Sequence, residues 1–227
     1  MPVQPETDAL ALLSEGVAAL GLTLSPAILE QFGIYLEELK LWNARINLTG
    51  LKDDRDIVIK HFLDSLAVLP FLDSVPSLLD LGSGAGFPGL VLKLARPEMA
   101  LTLVEAREKK TAFLECLVSR FRLTGVQVVQ AHLTPSQARK WEPKVAALVS
   151  RAALFLPRLL EVAAPLLAPG GLLLALKGPR LAGLELETAR SAGALLGLDA
   201  WQEHKYDLPI SGEPRLLILA RKREAQP

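Results

Sequence analysis

Apolar positions along the chain fall into two regimes. Through residue 72 they recur at helical spacing. After Ser25-Pro26, which reads as an N-cap and a first-turn proline, Ile28, Leu29, Phe32, Leu36, Leu39 and Trp42 line one face. A polar break, NARINLTGLKDD, precedes a second helical stretch, IVIKHFLDSLAVL, and no strand pattern is seen in this region. From Ser77 short apolar runs take over (SLLDL, ALTLVE, VQVVQ, VAALVS and GLLLALK), with amphipathic segments between most of them. That rhythm predicts a parallel sheet with helices on both faces. Two final runs, 199–206 and 215–221, are separated only by DLPISGEP, too short for a helical crossover, and predict an antiparallel hairpin at one edge. The expected organisation is an N-terminal helical region over residues 1–72, followed by an α/β domain over residues 73–227.

Composition adds exclusions. Half of the 227 residues are hydrophobic but only 5% are aromatic, which describes an aliphatic globular chain long enough for one well-cored domain and an appendage. The formal net charge is zero, so any basic footprint for a nucleic acid must be local. Cys116 is the only cysteine, which rules out an internal disulfide and a Cys-rich zinc site; its setting, AFLECLVSRF, reads as a helix with the thiol in the core. The opening MPVQPETDAL has no basic stretch followed by an apolar one. The longest uncharged stretch, Val162 to Leu176, is broken by Pro165 and Pro169-Gly170-Gly171 and falls short of the roughly 18 residues of a membrane span. A cytoplasmic protein without a membrane partner is expected.

Candidate chemistry centres on LLDLGSGAGFPG, residues 78–89. Its second half matches G-x-G-x-x-G, follows a predicted strand and opens a predicted helix, with Pro88 in the first turn. Glu105 ends the next strand, 19 residues after Gly86, where an acid can bind ribose hydroxyls. An NAD-dependent dehydrogenase is therefore one reading. The glycine series starts earlier, however, at Gly82, Gly84 and Gly86, with Asp80 two residues before it. An acid-x-Gly-x-Gly-x-Gly run on a first strand, with a second acid ending the next, resembles the S-adenosylmethionine (SAM) loop of seven-stranded methyltransferases. In that loop the backbone lies against methionine and ribose, and the helix N-terminus faces a carboxylate rather than a phosphate. A bare strand–helix turn is the remaining reading, although three glycines cost roughly 0.5–1 kcal/mol each relative to Ala in regular structure.

The neighbouring stretches extend the likeness. WNARINLTG (42–50), KHFLDSLAV (60–68), DLGSGAGFPG (80–89), TLVEAREKKTAFL (102–114), SRA (150–152), PLLAPGGLLLALKG (165–178) and LP (208–209) stand in the order expected of the bacterial 16S ribosomal RNA guanine-N7 methyltransferases, RsmG or GidB, which the chain resembles from Trp42 to about residue 221. The resemblance implies a Rossmann-like seven-stranded sheet with a terminal antiparallel hairpin. It implies SAM as cofactor, and as acceptor N7 of a guanine in the 16S rRNA of the small ribosomal subunit. It places Asp80, Gly82, Gly84, Gly86 and Phe87 at the cofactor, Glu105 on its ribose, and Arg151 at the junction of cofactor and substrate as the catalytic-centre residue. After the third strand the family usually carries Arg-Ala-Glu, whose last two positions line the adenine. Here that place reads His132, Leu133 and Thr134, so Leu133 and Thr134 take the adenine positions without a carboxylate.

The residues also bear on the methyl acceptor. Methyl transfer from a sulfonium is an in-line displacement in which orientation supplies up to ~7–11 kcal/mol. Guanine N7 already presents a lone pair, so no general base is required. Beyond Glu105 no His/Asp or His/Glu constellation falls at a strand end, and after the fourth strand stands VSRAALF rather than a DPPY-like loop or a carboxylate set for a metal. A ring nitrogen, or an oxygen needing little activation, is favoured, with no metal. Arg151 closes the fourth strand at the carboxyl edge, where doubly wound sheets bind ligands. Lys177, at the end of the fifth strand, and Lys109-Lys110, placed against the dipole at a helix start, are candidate substrate contacts. His61 and Asp64, one turn apart, read as a polar link between the helical region and the sheet domain, and Asn47 and Thr49 as turn or capping residues. A non-enzymatic alternative, suggested by His132-Leu133-Thr134, is an RNA- or ribosome-binding protein with a decayed SAM site.

Overall fold

The strands form where the short apolar runs predict them. The computed structural model describes residues 9–151, 155–178 and 183–224. Its strands are β1 (Ser77–Leu81), β2 (Ala100–Glu105), β3 (Val126–Gln130), β4 (Val145–Arg151), β5 (Leu167–Lys177), β6 (Leu198–Asp207) and β7 (Pro214–Lys222). They make one sheet in the order β3-β2-β1-β4-β5-β7-β6. β1 to β5 are mutually parallel, as in Leu79↔Thr102 and Leu79↔Leu148, whereas β7 lies antiparallel to both β5 and β6. The chain reverses at the β1/β4 boundary, so the carboxyl ends of β1, β2 and β4 open on a common crevice. One boundary departs from expectation. β5 begins at Leu167, four residues before the predicted run GLLLALK, and takes in Pro169-Gly170-Gly171. Gly170 takes φ +72°, and the register with β4 shifts between Val145 and Ala147, so the extra residues are absorbed as an irregularity rather than ending the strand.

Alternation along the strands sorts side chains to two faces. Leu78, Leu101, Leu103, Ala147, Val149 and Leu174 enter one buried cluster. Leu79, Val104, Leu148, Leu173, Ala175 and Ile218 enter the other. The second face is covered by α7 (Pro135–Arg139), α8 (Leu156–Ala163) and α9 (Gly183–Leu195). The first is covered by α5 (Gly89–Ala95), α6 (Glu108–Arg120) and the N-terminal helices α1 (Ala9–Ala19) and α2 (Pro26–Asn43). Ser25 caps α2, its hydroxyl accepting the Ile28 N–H, and Pro26 opens the helix as expected. Phe32, Leu36 and Leu39 from the predicted apolar face are buried, so the helical region and the sheet share one core. Tyr35, on the same helix, is fully buried at its centre and stacks on Phe87, with ring centroids 5.4 Å apart.

The second predicted helix is not uniform. α3 (Asp54–Ile57) passes into a π-helical stretch, Val58–Leu63, before α4 (Asp64–Leu66). Such widened turns are frequent at functional sites, and this one carries His61. Among the described residues no helix is long and apolar enough to cross a membrane.

Candidate active site

The glycine loop leaves β1 at Leu81, with Gly82, Gly84 and Gly86 at φ of 78°, 59° and 92°. These glycines serve different ends. At Gly84 an added Cβ would meet only Gly82 O and Lys110 Nζ, each at an ordinary contact distance of 3.9 Å, so the backbone there is uncrowded. At Gly86 the same atom would overlap the Tyr35 hydroxyl, which donates to Ala85 O at 2.5 Å. Gly86 thus lies against one of the protein's own aromatic rings and borders neither of the depressions described below.

Asp80 likewise faces into the protein. It is fully buried beneath the loop, and its Oδ2 accepts the Gly89 N–H at 2.8 Å. A Cβ on Gly89 would stand 2.7 Å from the carboxylate, which explains the glycine at that position. The helix start expected to face a ligand's carboxylate is therefore filled by the chain's own. α5 begins at Gly89, with Pro88 as its N-cap rather than in its first turn.

Asp80 Oδ1 has no hydrogen-bond partner among the described residues, and burial pushes the carboxyl from its ordinary 3.8 up to about 7. Between these two values the folded state binds more protons than the unfolded chain. The contribution to stability is thus largest below about pH 4 and is lost as pH rises through about 7, on the order of 4 kcal/mol in all. Asp80→Asn keeps an acceptor for Gly89 and removes the titration. Urea unfolding from pH 5 to 8 should show the variant gaining stability relative to the parent as pH rises. Parallel profiles would exclude Asp80 as the titrating group. His61, with a lowered pKa, slopes the opposite way below about pH 6.5 in both proteins and cancels in the comparison.

Glu105, at the end of β2, fastens the loop from the other side. Its Oε2 accepts the Gly84 N–H at 2.9 Å and its Oε1 the Arg107 N–H at 2.8 Å. It borders a cleft of about 490 Å³ together with Gly82, Gly84, Lys110, His132 and Leu133. Leu133, one of the two residues expected at the adenine, is in this lining. Thr134 is not in this lining. It caps α7 in a capping box, its hydroxyl accepting the Gln137 N–H while the Gln137 side chain accepts the Thr134 N–H at 2.9 Å.

A second depression of about 190 Å³ lies across the loop, lined by Thr49, His61, Gly84, Phe87, Lys110 and Arg151. It shares Gly82, Gly84 and Lys110 with the larger cleft. Phe87 therefore belongs to this side. It is buried between Tyr35 and His61, whose ring centroid is 4.4 Å from its own, and the Arg151 guanidinium lies over its ring at 5.2 Å.

Arg151 is the hub of a buried polar cluster. Its Nη1 donates to Lys60 O at 2.9 Å, its Nη2 donates to His61 Nδ1 at 2.9 Å, and Asp64 Oδ2 lies 3.5 Å away. Asp64, only 5% exposed, also accepts from the Tyr206 hydroxyl at 2.9 Å and pairs with Arg215 at 3.6 Å. The expected link of His61 and Asp64 is present and joins the helical region to β4 and to the β6–β7 hairpin. Burial lowers the Arg151 pKa, opposed by the Asp64 charge. Burial, and Arg151 beside it, push His61 down to about 3, so its imidazole is neutral near pH 7.

Other candidates scatter. Lys109 is exposed and lines neither depression. Lys177 lies at the end of β5, mostly buried, 4.0 Å from Glu185 of α9; it too is outside both linings. Cys116 is half-buried on α6 rather than in the core. Tyr206, Arg215 and Asn43 went unnoticed in the sequence. The first two sit on strands with ordinary strand patterning; Asn43 Oδ1 accepts the Leu48 and Thr49 N–H groups and shapes the loop that presents Thr49. The nearest signal for it was the polar break NARINLTGLKDD, which it opens.

Residues 28–204 match the model of the family GidB, rRNA small subunit methyltransferase G. The chain is 34% identical over 222 residues to the ribosomal RNA small subunit methyltransferase G of Acetivibrio thermocellus, covering 95% of this chain and 89% of that one. It is 40% identical over 220 residues to the enzyme of that name from Deinococcus radiodurans, covering 95% and 86%. Among solved structures, a methyltransferase from Pyrococcus furiosus superposes with a TM-score of 0.58 over 86% of this chain and 98% of that one, at 16% identity, a likeness of fold. With the family model spanning most of the chain and relatives matched nearly end to end, this chain belongs to the GidB family of SAM-dependent small-subunit rRNA methyltransferases.

Proposed function

We propose that the protein transfers the methyl group of SAM to N7 of a guanine in the 16S rRNA of the small ribosomal subunit, working in the cytoplasm where that substrate is found. The observation that carries this reading is the meeting of two depressions, of about 490 and 190 Å³, at Gly82, Gly84 and Lys110. A cofactor in the larger and a base in the smaller are separated only by glycine backbone and one lysine. The residues present fit SAM. The larger cleft is within the usual size of small-molecule sites, the Gly84 backbone is uncrowded, and each Glu105 oxygen keeps a lone pair for a ribose hydroxyl. Leu133 offers apolar contact to the adenine; the missing family carboxylate leaves that end of the site to backbone contacts.

The bound cofactor supplies a methyl group on a sulfonium with a good leaving group. The chain's own part is positioning. Glu105 clamps the loop, Arg151 and Phe87 wall the acceptor side, and Lys110 places a positive charge beside both depressions, suited to an RNA phosphate. Among the described residues, no side chain at the junction is arranged to take a proton. His61 has both ring nitrogens engaged, by Arg151 and Thr49. N7, which needs no deprotonation, suits such a site. Cytosine C5 does not, because Cys116 lies on α6 outside both linings.

Under-methylated small subunits incubated with tritiated SAM should gain label, recovered as N7-methylguanosine in the digested 16S rRNA. Absence of label together with absence of SAM binding in calorimetry would overturn the reading. RNA binding without turnover at saturating SAM would favour a non-catalytic RNA-binding role.

A further inference from the structure

We propose that the Thr49 hydroxyl reads O6 of the target guanine and so makes the site selective for guanine over adenine; this rests on the function proposed above. The argument follows the protons from Arg151. A guanidinium only donates, so the Arg151 Nη2 contact at 2.9 Å requires a bare lone pair on His61 Nδ1. Lys60 O, 3.1 Å from Nδ1, receives the Arg151 Nη1–H group at 2.9 Å instead. The imidazole is neutral, so its one proton resides on Nε2, which is 2.7 Å from Thr49 Oγ1 and donates to it. Thr49 Oγ1 also accepts the Leu51 N–H at 3.2 Å. Both lone pairs of the hydroxyl are then filled, and its own proton has no acceptor among the described residues.

Thr49 is therefore a donor with no accepting capacity. Its backbone is fixed by Asn43 Oδ1, which takes the Thr49 N–H at 3.0 Å, and its side chain lines the 190 Å³ depression beside Gly84, Phe87 and Arg151. A purine offering N7 to this junction presents its 6-substituent on the same edge. In guanine that group is a carbonyl oxygen, an acceptor; in adenine it is an amino group, a donor. A hydroxyl that can only donate pairs with the first and opposes the second, and leaves a buried donor unpaired when the wrong base enters. Arg151 and His61 act through Thr49 as positioning residues, since the guanidinium sets the tautomer that sets the direction of the hydroxyl.

Two measurements test this. Nitrogen-15 spectra of the imidazoles should show His61 protonated at Nε2 and bare at Nδ1 in the parent protein; a proton on Nδ1 overturns the proposal. Methyl transfer is then compared on under-methylated subunits carrying guanine or adenine at the position the parent enzyme methylates. Thr49→Val should lower kcat/KM for guanine by roughly 10- to 100-fold. It should also narrow the guanine-to-adenine ratio and leave SAM affinity in calorimetry within about twofold, whereas Thr49→Ser should retain both rate and ratio. Equal rates for Thr49→Val and parent, an unchanged ratio, or equal losses in the Ser and Val variants would each overturn the role of Thr49. A parent that forms no N7-methylguanosine would instead overturn the functional reading, a result distinguishable from the others because it appears before any variant is compared.

Discussion

Replacing Arg151 by methionine should lower methyl transfer by about 100-fold or more and destabilise the protein by about 3 kcal/mol. Methionine matches much of the stem but supplies neither the charge nor the fork. Lys60 O and His61 Nδ1 lose their donors, and the Phe87 ring loses the cation over its face. Asp64, 5% exposed, is left to Tyr206 and Arg215 alone. Removing one partner of a buried pair is costly because the remaining charge stays out of water. The rate falls for a separate reason. The wall of the acceptor depression moves, and displacements of about 1 Å at a reacting centre cost about 10²-fold. Arg151→Lys separates the two effects. It restores a positive charge near Asp64 and should recover part of the stability, but a single ammonium cannot serve Lys60 O, His61 and Asp64 from one plane, so transfer should remain impaired. Urea unfolding and tritium incorporation measure the two quantities. A methionine variant with parental rate would show that the cluster is scaffold alone.

The same cluster shows where the sequence was legible and where it was not. The aliphatic runs define β1 to β4 almost to the residue: in β1, β2 and β4 alternate side chains enter the two buried clusters, and in the edge strand β3 the valines are separated from solvent-facing glutamines. Glu105 and Gly84 could be located from spacing, since both depend on where strands end. The roles of Asp80 and Gly86 could not. Spacing puts both in the glycine signature, yet which way each faces is decided by Tyr35 and Gly89, the first of them from a distant helix. The π-helical turn around His61 was equally hidden, because VIKHFL carries an ordinary helical pattern and the widened turn accompanies contacts to Thr49 and Arg151. Tyr206 and Arg215 were unreadable for the opposite reason. They lie on a hairpin whose polar positions look solvent-facing until Asp64 is placed against them.

Gly86→Ala should be among the most damaging single-methyl changes in the loop, lowering stability by about 3 kcal/mol. Two causes combine. The residue holds φ +92°, where a Cβ costs about 1–2 kcal/mol. The added methyl also overlaps the hydroxyl of Tyr35, a fully buried ring with no free space to retreat into, and overpacking of that kind costs about 1–3 kcal/mol. The two causes separate in a double-mutant cycle. Tyr35→Phe alone forfeits the hydrogen bond to Ala85 O and should cost about 1 kcal/mol. Combined with Gly86→Ala, it removes the atom that the methyl strikes, so the double variant should be more stable than the sum of the singles predicts, by about 1–2 kcal/mol. A residue of strain should persist, because φ is unchanged and Leu90 Cβ still lies 3.1 Å from the new atom. Additive losses in urea unfolding would mean that only backbone conformation requires this glycine. A positive coupling would mean that the third glycine of the signature is kept for Tyr35, and that the helical region takes part in setting the shape of the cofactor loop.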